Sequence, residues 1–465
     1  MTMDFSAGNT ELWNLILQLG IISAILLVSN ILRRKLPMIQ KLLLPTAVLG
    51  GFLLLGLRLT GWVYIDTALL ETLTYHGLAI GFIALSIRTI RKEKLQDGVG
   101  RVGMKSGALI ASTYVMQGLL GLLISVGLSY TLMPDLFQAA GILLPMGYGQ
   151  GPGQANNIGT TYEGLGFVGG HSFAVSLAAA GFLSACVVGV IYLNYLQRKG
   201  EIKRVKQTDD EEMMREGGVG VFQDPNEIPI SQAVDKLTIQ MALVLTVYLI
   251  TYGVIVGLTS LSSSLGEGTA RTITQLLWGF NFLIGALIAM LFRSIMFVLR
   301  KSKWMTHQYQ NNYLLSRISG FFFDLMIVTG IASIDIGQLK TLWLPFVLMA
   351  VTGAIATFYY LRFICKRLYP DYYYAGLLSM YGMMTGTISS GVLLLREVDP
   401  FFKTRASTNL LVGSGFAILL GAPMLLLIAI APNSPQMTWL TIGLLVVYFA
   451  LMMVLMLGKK RKASK

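Results

Sequence analysis

Eleven runs of mostly apolar residues punctuate the chain, at about 11–32, 42–62, 74–92, 106–132, 168–196, 237–262, 272–299, 312–335, 338–365, 405–431 and 437–458. An α-helix needs about 20 such residues to cross the hydrocarbon core of a bilayer. Each run therefore predicts a spanning helix, and together they predict an all-α polytopic membrane protein. Two further stretches, 135–162 and 371–397, are apolar but broken by Gly, Pro and small polar residues. Irregular backbone at membrane depth survives only where protein or a water-filled cavity covers it. The sequence thus predicts two re-entrant hairpins there rather than lipid-facing helices.

Composition supports burial in lipid. Of the 465 residues, 54% are hydrophobic and only 13% charged, about half the ~25% of a soluble domain, and mean hydropathy is +0.65. The net charge of +13 is scattered between apolar runs, which excludes a nucleic-acid patch and fits loops enriched in cations on the cytoplasmic side. Arg33, Arg34, Lys35 and Lys41 follow the first span, so the N-terminus is expected outside. Threading the chain from there places the clusters at 91–94, 198–206, 300–303, 366–367, 403–405 and 459–462 inside. Of 36 Lys and Arg, only Arg58, Arg271 and Lys340 fall outside. The first apolar run has no cationic segment before it and no small-residue cleavage site after it, so it reads as a span rather than a secretory signal. Cys186 and Cys365 both lie in apolar runs, which predicts neither a disulfide framework nor a thiolate metal site.

The polar stretch 200–235 is the one sizeable linker and predicts a cytoplasmic connector. It divides the chain into halves of the same order, 1–199 and 236–432: four spans, a broken hairpin, one span. The first half starts outside and the second inside, so the halves predict inverted-topology repeats, a plan recurrent among secondary transporters. Sequence echoes agree. Ala140-Gly141-Ile142-Leu143-Leu144 opens the first hairpin and Ala375-Gly376-Leu377-Leu378 the second, while Ile83-Ala84-Leu85-Ser86 in the third span matches Ile331-Ala332-Ser333 in the eighth. Residues 433–465 add a C-terminal span and a basic tail. The hairpins are expected to enter from opposite faces and to share one site.

The first hairpin reads Gly147-Tyr148-Gly149-Gln150-Gly151-Pro152-Gly153-Gln154-Ala155-Asn156-Asn157. Alternating glycines let backbone approach a ligand closely, and Pro152 interrupts a continuous helix. Exposed amides at a following helix start suit a carboxylate, whereas carbonyl and side-chain oxygens suit Na⁺. Gly149, Gln150, Gly151, Gln154, Asn156 and Asn157 are therefore candidate substrate ligands, with Thr385, Thr387, Ser389 and Ser390 from the second hairpin. Packing of small residues between helices is the competing reading. No Lys-Ser or Lys-Thr follows the glycines, which excludes a phosphate loop. Arg88 is placed either to clamp a carboxylate or to reach the cytoplasmic surface. Candidate sodium ligands are Ser86, Ser333, Asp324 and Gly386. Asp324 lies near the middle of the eighth span, where an ionisable group is costly. Asp335 is expected in an outer loop, and His171 as a hydrogen-bonded helix-end residue. Nothing resembles hydrolase machinery, so no enzyme is expected.

Over about 11–432 the chain resembles the bacterial sodium/glutamate symporter family, as a divergent member. The likeness is clearest in Leu42-Leu43-Leu44-Pro45-Thr46-Ala47-Val48-Leu49-Gly50-Gly51 and in the glycine-rich hairpin. That family's first hairpin usually reads Gly-Gly-His-Gly-Thr-Gly; here Gly147-Tyr148-Gly149-Gln150-Gly151 stands in its place. The resemblance implies five-plus-five inverted repeats with opposed re-entrant loops, a homodimer, and a mobile transport part moving in elevator fashion in a bacterial inner membrane. It implies Na⁺-coupled symport of glutamate or a similar small anion, each net charge moved gaining about 2.3 kcal/mol per 100 mV. A proton-coupled or export carrier and a passive channel remain the alternatives.

Overall fold

A computed structural model describes residues 10–37, 39, 44–89, 99–202, 236–265, 270, 273–274, 277–305, 307–399 and 404–458. The linker from residue 203 onward, Lys41, Arg271, Lys403 and the cationic clusters at 91–94 and 459–462 lie outside the described residues. The described chain is helical. In the first half run α1 (Thr10–Lys35), α2 (Thr46–Leu59), α3 (Thr67–Ile87), α4 (Val99–Ser129), α5 (Leu143–Tyr148), α6 (Pro152–Gly164) and α7 (Gly170–Arg198). The second half contains α8 (Lys236–Ser262), α9 (Asn281–Lys301), α10 (Asn312–Ala332), α11 (Ile336–Thr341), α12 (Trp343–Leu368), α13 (Tyr373–Thr385), α14 (Ile388–Arg396) and α15 (Ala406–Ile430). The last helix is α16 (Pro435–Leu457).

Ten of these, α1, α3, α4, α7, α8, α9, α10, α12, α15 and α16, are long and apolar enough to cross a membrane. The chain is a multi-pass membrane protein. The sequence predicts an eleventh span over 42–62, where the structure has the 14-residue α2, about 21 Å long at 1.5 Å per residue. Pro45 stands immediately before it without an N–H to donate, and Gly61, at φ +75°, lies just beyond its end.

Lipid-facing and core-facing stripes separate cleanly. Along α16, Leu440, Leu444, Val447, Leu451 and Val454 are exposed, whereas Ile442, Leu445, Tyr448, Met452 and Met456 are buried. Both stripes follow helical spacing. In a bilayer the exposed one meets acyl chains.

Small residues set how closely the helices approach, as in other membrane bundles. Gly121 of α4 lies directly against the backbone of Gly141, which precedes α5. Between α3 and α10, Thr74 pairs with Thr329 (Oγ1···Oγ1 2.9 Å), Gly77 faces Met326 and Gly81 faces the Phe323 ring. Numbers rise on one helix as they fall on the other, so α3 and α10 are antiparallel. By the same logic α9 runs parallel to α3, because Tyr75 bonds the Trp278 carbonyl and Arg293 the Ser86 carbonyl.

Two segments have a matching build. In the first, a 3₁₀ turn at Gln138–Ile142 leads into α5, the helix breaks at 149–151, and α6 follows. In the second, a 3₁₀ turn at Pro370–Tyr372 leads into α13, the break falls at 386–387, and α14 follows. Within each segment the two helices pack against one another.

Candidate functional site at the two helix breaks

The first break is made by glycine chemistry. Gly151 has φ +90° and ψ −178°, a region open essentially to Gly alone. Pro152 then starts α6 without needing an N–H partner. The second break turns at Gly386, and Thr387 begins α14 in extended conformation.

The two breaks touch. A Cβ on Gly151 would stand 3.3 Å from Thr387 Cγ2 and 3.8 Å from the Gly386 carbonyl oxygen. Two other helices hold the junction. On α7, Gly181 packs against the Thr385 carbonyl and the Tyr148 ring. On α4, Gln117 Nε2 donates 2.9 Å bonds to both the Met384 carbonyl and Thr357 Oγ1, and Tyr114 OH donates to the Gly149 carbonyl at 3.3 Å.

The junction carries unspent oxygens. A carbonyl only accepts, so the Gln117 amide must turn its nitrogen toward Met384 and its oxygen away. That Oε1 is buried, has no hydrogen-bond partner among the described residues and lies 3.3 Å from where a Cβ on Gly149 would stand. Thr387 Oγ1 and Ser390 Oγ are likewise buried and unpartnered. Ser390 Oγ comes within 2.8 Å of the Cβ position of Gly386. Leaving such groups dry costs free energy unless something else meets them. All three are neutral oxygens, the donor chemistry that hard cations take.

One turn along α6 a second polar network begins. Asn156 Oδ1 lies 2.9 Å from His171 Nε2, whose ring also faces Ser333 Oγ (3.4 Å) and Glu71 Oε1 (3.7 Å). The His171 amide donates to Glu163 at 3.2 Å, so His171 is indeed hydrogen-bonded at the start of its helix. Burial lifts the Glu163 carboxyl above the usual carboxylate range, while the amides of His171 and Gly169 hold it back. Asn157 donates to the Gly279 carbonyl and to Asn281 Oδ1. A cavity of about 440 Å³ opens beside this network, lined by Glu71, Tyr75, His76, Asn156, Asn157 and Trp278 among others.

The structure therefore brings together most of the residues expected to bind. Gly149, Gly151, Thr385, Gly386, Thr387 and Ser390 form the junction, with Gln150 half-buried beside it in the chain. Asn156, Asn157 and, through His171, Ser333 belong to the second network, and Gln154 is buried between the two on α6. Ser389 sits in the first turn of α14; its side chain lies outside the described ones.

Three candidates stand apart. Arg88 caps the far end of α3, about 21 Å along the helix axis from Thr74, the residue level with Pro152 across Gly330. Ser86 is next to it and offers its carbonyl to Arg293. Asp324 is exposed on α10 in a stripe with Tyr313, Arg317 and Phe321, on the face opposite Met326, which packs against Gly153. Asp335 caps the short helix α11 through bonds from Gly337 and Gln338.

Gln117, Glu71 and the Thr74–Thr329 pair carry the site without having been singled out in sequence. The carboxamide of Gln117 inside a spanning helix is a signal for that residue alone, since polar groups in membrane helices need partners. Compared with known proteins, the chain matches no family model and no curated protein sequence.

Proposed function

We propose that this protein is a secondary active transporter that symports Na⁺ with glutamate or a similar small anionic amino acid or carboxylate. One observation carries the reading: two broken helices from different halves of the chain meet at Gly151 and Thr387, beside buried oxygens that no group among the described residues satisfies. Discontinuous helices whose ends and unwound carbonyls face one another are the usual material of transporter sites. Gln117 Oε1, Thr387 Oγ1 and Ser390 Oγ take the cation. The carboxylate-bearing substrate occupies the adjoining space along α6, where Asn156 and Asn157 offer neutral polar contacts.

The pairings of helices support the inverted-repeat reading. If the halves are exchanged, α2 against α10 becomes α9 against α3, and both pairs are in contact. In this reading the segments 135–162 and 371–397 are re-entrant and enter from opposite faces, the N-terminus lies outside, and the C-terminus is cytoplasmic. The chain works as a homodimer in a bacterial inner membrane. One part carrying both hairpins moves against a fixed scaffold, exposing the junction to each side in turn, in the manner of an elevator.

The test is uptake into liposomes holding purified protein. Labelled glutamate should accumulate above its external concentration under an inward Na⁺ gradient. Accumulation should stop when choline replaces Na⁺. Uptake that runs only downhill and does not respond to the Na⁺ gradient would overturn the proposal in favour of a channel.

A second reading, proton coupling, is favoured by the cluster of Glu71, Glu163 and His171 around Asn156. An inward pH gradient would then replace the Na⁺ gradient, and Glu71→Gln would abolish the response. If Na⁺ is the driver, Glu71→Gln leaves the Na⁺ dependence in place.

A further inference from the structure

At the opposite end of α3 from Thr67 lies a second cavity, of about 310 Å³, lined by Thr89, Arg293, Arg300, His307, Gln308 and Gln310 among others. Among the described residues no carboxylate lines it. The sequence from 281 to 311 carries Arg293, Arg300, Lys301 and Lys303 and not one Asp or Glu.

Arg293 sits two turns inside α9 and is half-buried. Its guanidinium donates to the Ser86 and Arg88 carbonyls at 3.1 and 3.3 Å. These are the last acceptors of α3, so the negative end of that helix partly balances the cation. Arg300 is exposed and donates to Gln308 Oε1 at 2.7 Å. Arg293 and Arg300 are seven residues apart, two helical turns, and so share one face.

The surroundings fix the depth. Leu287, Leu291, Ile295 and Val298 are exposed along the same helix and form its lipid-facing stripe. Just past the helix end, Trp304 is 84% exposed, a position typical of the aromatic belt at the headgroup level. The cavity thus opens where acyl chains give way to headgroups.

We infer that this cavity binds the phosphate of an anionic phospholipid. Arg293 and Arg300 hold the phosphodiester oxygens, and the exposed stripe of α9 receives the acyl chains. Basic pockets between membrane helices take headgroups in this way, and the guanidinium fork suits phosphate oxygens. This site is separate from the helix breaks and does not depend on the transport reading.

The experiment measures thermal stabilisation of the purified, detergent-solubilised chain by short-chain phosphatidylglycerol. Short-chain phosphatidylcholine and inorganic phosphate are run at matched concentrations. The wild-type chain should be stabilised by phosphatidylglycerol alone. Arg293→Gln/Arg300→Gln should bind it about tenfold more weakly, a loss of about 1.4 kcal/mol in charge-assisted bonding. Lys199→Gln, which removes a cation from a different helix end, should leave binding unchanged. Arg300→Gln alone removes only an exposed side chain and decides the matter if the double variant fails to fold. Equal binding by the variants and the wild type would overturn the inference. So would equal stabilisation by phosphatidylcholine, or by inorganic phosphate, which would reveal a free-anion site instead.

Discussion

Gly151 and Thr387 meet at van der Waals range, 3.3 Å from a notional Cβ on one to Cγ2 of the other, although each belongs to a different half of the chain. Both sit where a helix stops and another begins, and the backbone at Gly151 is open essentially to glycine alone. Gly151 needs φ +90°, and Thr387 starts α14 in extended form. The contact joins the two breaks into a single polar locus.

Gly151→Ala tests that contact. The new methyl must adopt a backbone region costing about 1–3 kcal/mol while crowding Thr387. Uptake should fall to background and the melting temperature should drop. Gly61 also has positive φ (+75°), but nothing lies within 4 Å of a Cβ there. Gly61→Ala should lower the melting temperature and keep uptake, which separates strain from function.

The unpartnered oxygens make a second prediction. Thr387→Val and Ser390→Ala each remove one donor oxygen with little change in volume. Each should raise the Na⁺ concentration for half-maximal uptake about tenfold, equivalent to about 1.4 kcal/mol. Gln117→Leu should do more, because it also leaves the Met384 carbonyl without its donor. A Na⁺ titration of uptake, run on all three, measures this. Unchanged Na⁺ dependence in Thr387→Val and Ser390→Ala would place the cation elsewhere.

The pairing of α3 with α10 is checked by cross-linking. Thr74 and Thr329 hydroxyls are 2.9 Å apart, so sulfur atoms in their place would lie close to the ~2.05 Å of a disulfide. With Cys186 and Cys365 changed to Ala, Thr74→Cys/Thr329→Cys should cross-link almost fully under mild oxidation. The control pair Thr74→Cys/Arg317→Cys should not, because Arg317 lies on the exposed stripe of α10.

Much of this architecture is legible in the chain itself. Apolar runs of helical length find the ten spans, because lipid demands continuous apolar surface, but not all their ends: the run at 74–92 answers to a helix at Thr67–Ile87. The glycines around Pro152 mark the first break for the same reason: nothing else allows backbone to turn there. Over 42–62 the run is longer than the helix it predicts: it begins before Pro45, while α2 begins at Thr46. The partners of the breaks are harder to read. Gln117 and Glu71 reach the site through tertiary packing of α4 and α3, and periodicity does not reveal which helix faces which. Asp324 shows the opposite limit. Its cost at mid-helix draws attention, yet which face it occupies is set by neighbours such as Gly153 and Gly77 that claim the Met326 side.

The most direct check on a shared, alternately exposed junction is two-sided labelling of Thr387→Cys in the background lacking Cys186 and Cys365. Oriented vesicles are treated from one side or the other with a membrane-impermeant maleimide, with and without Na⁺ and glutamate. The account predicts labelling from both sides in the absence of ligands and protection when both are present. Labelling confined to one side under every condition would contradict it.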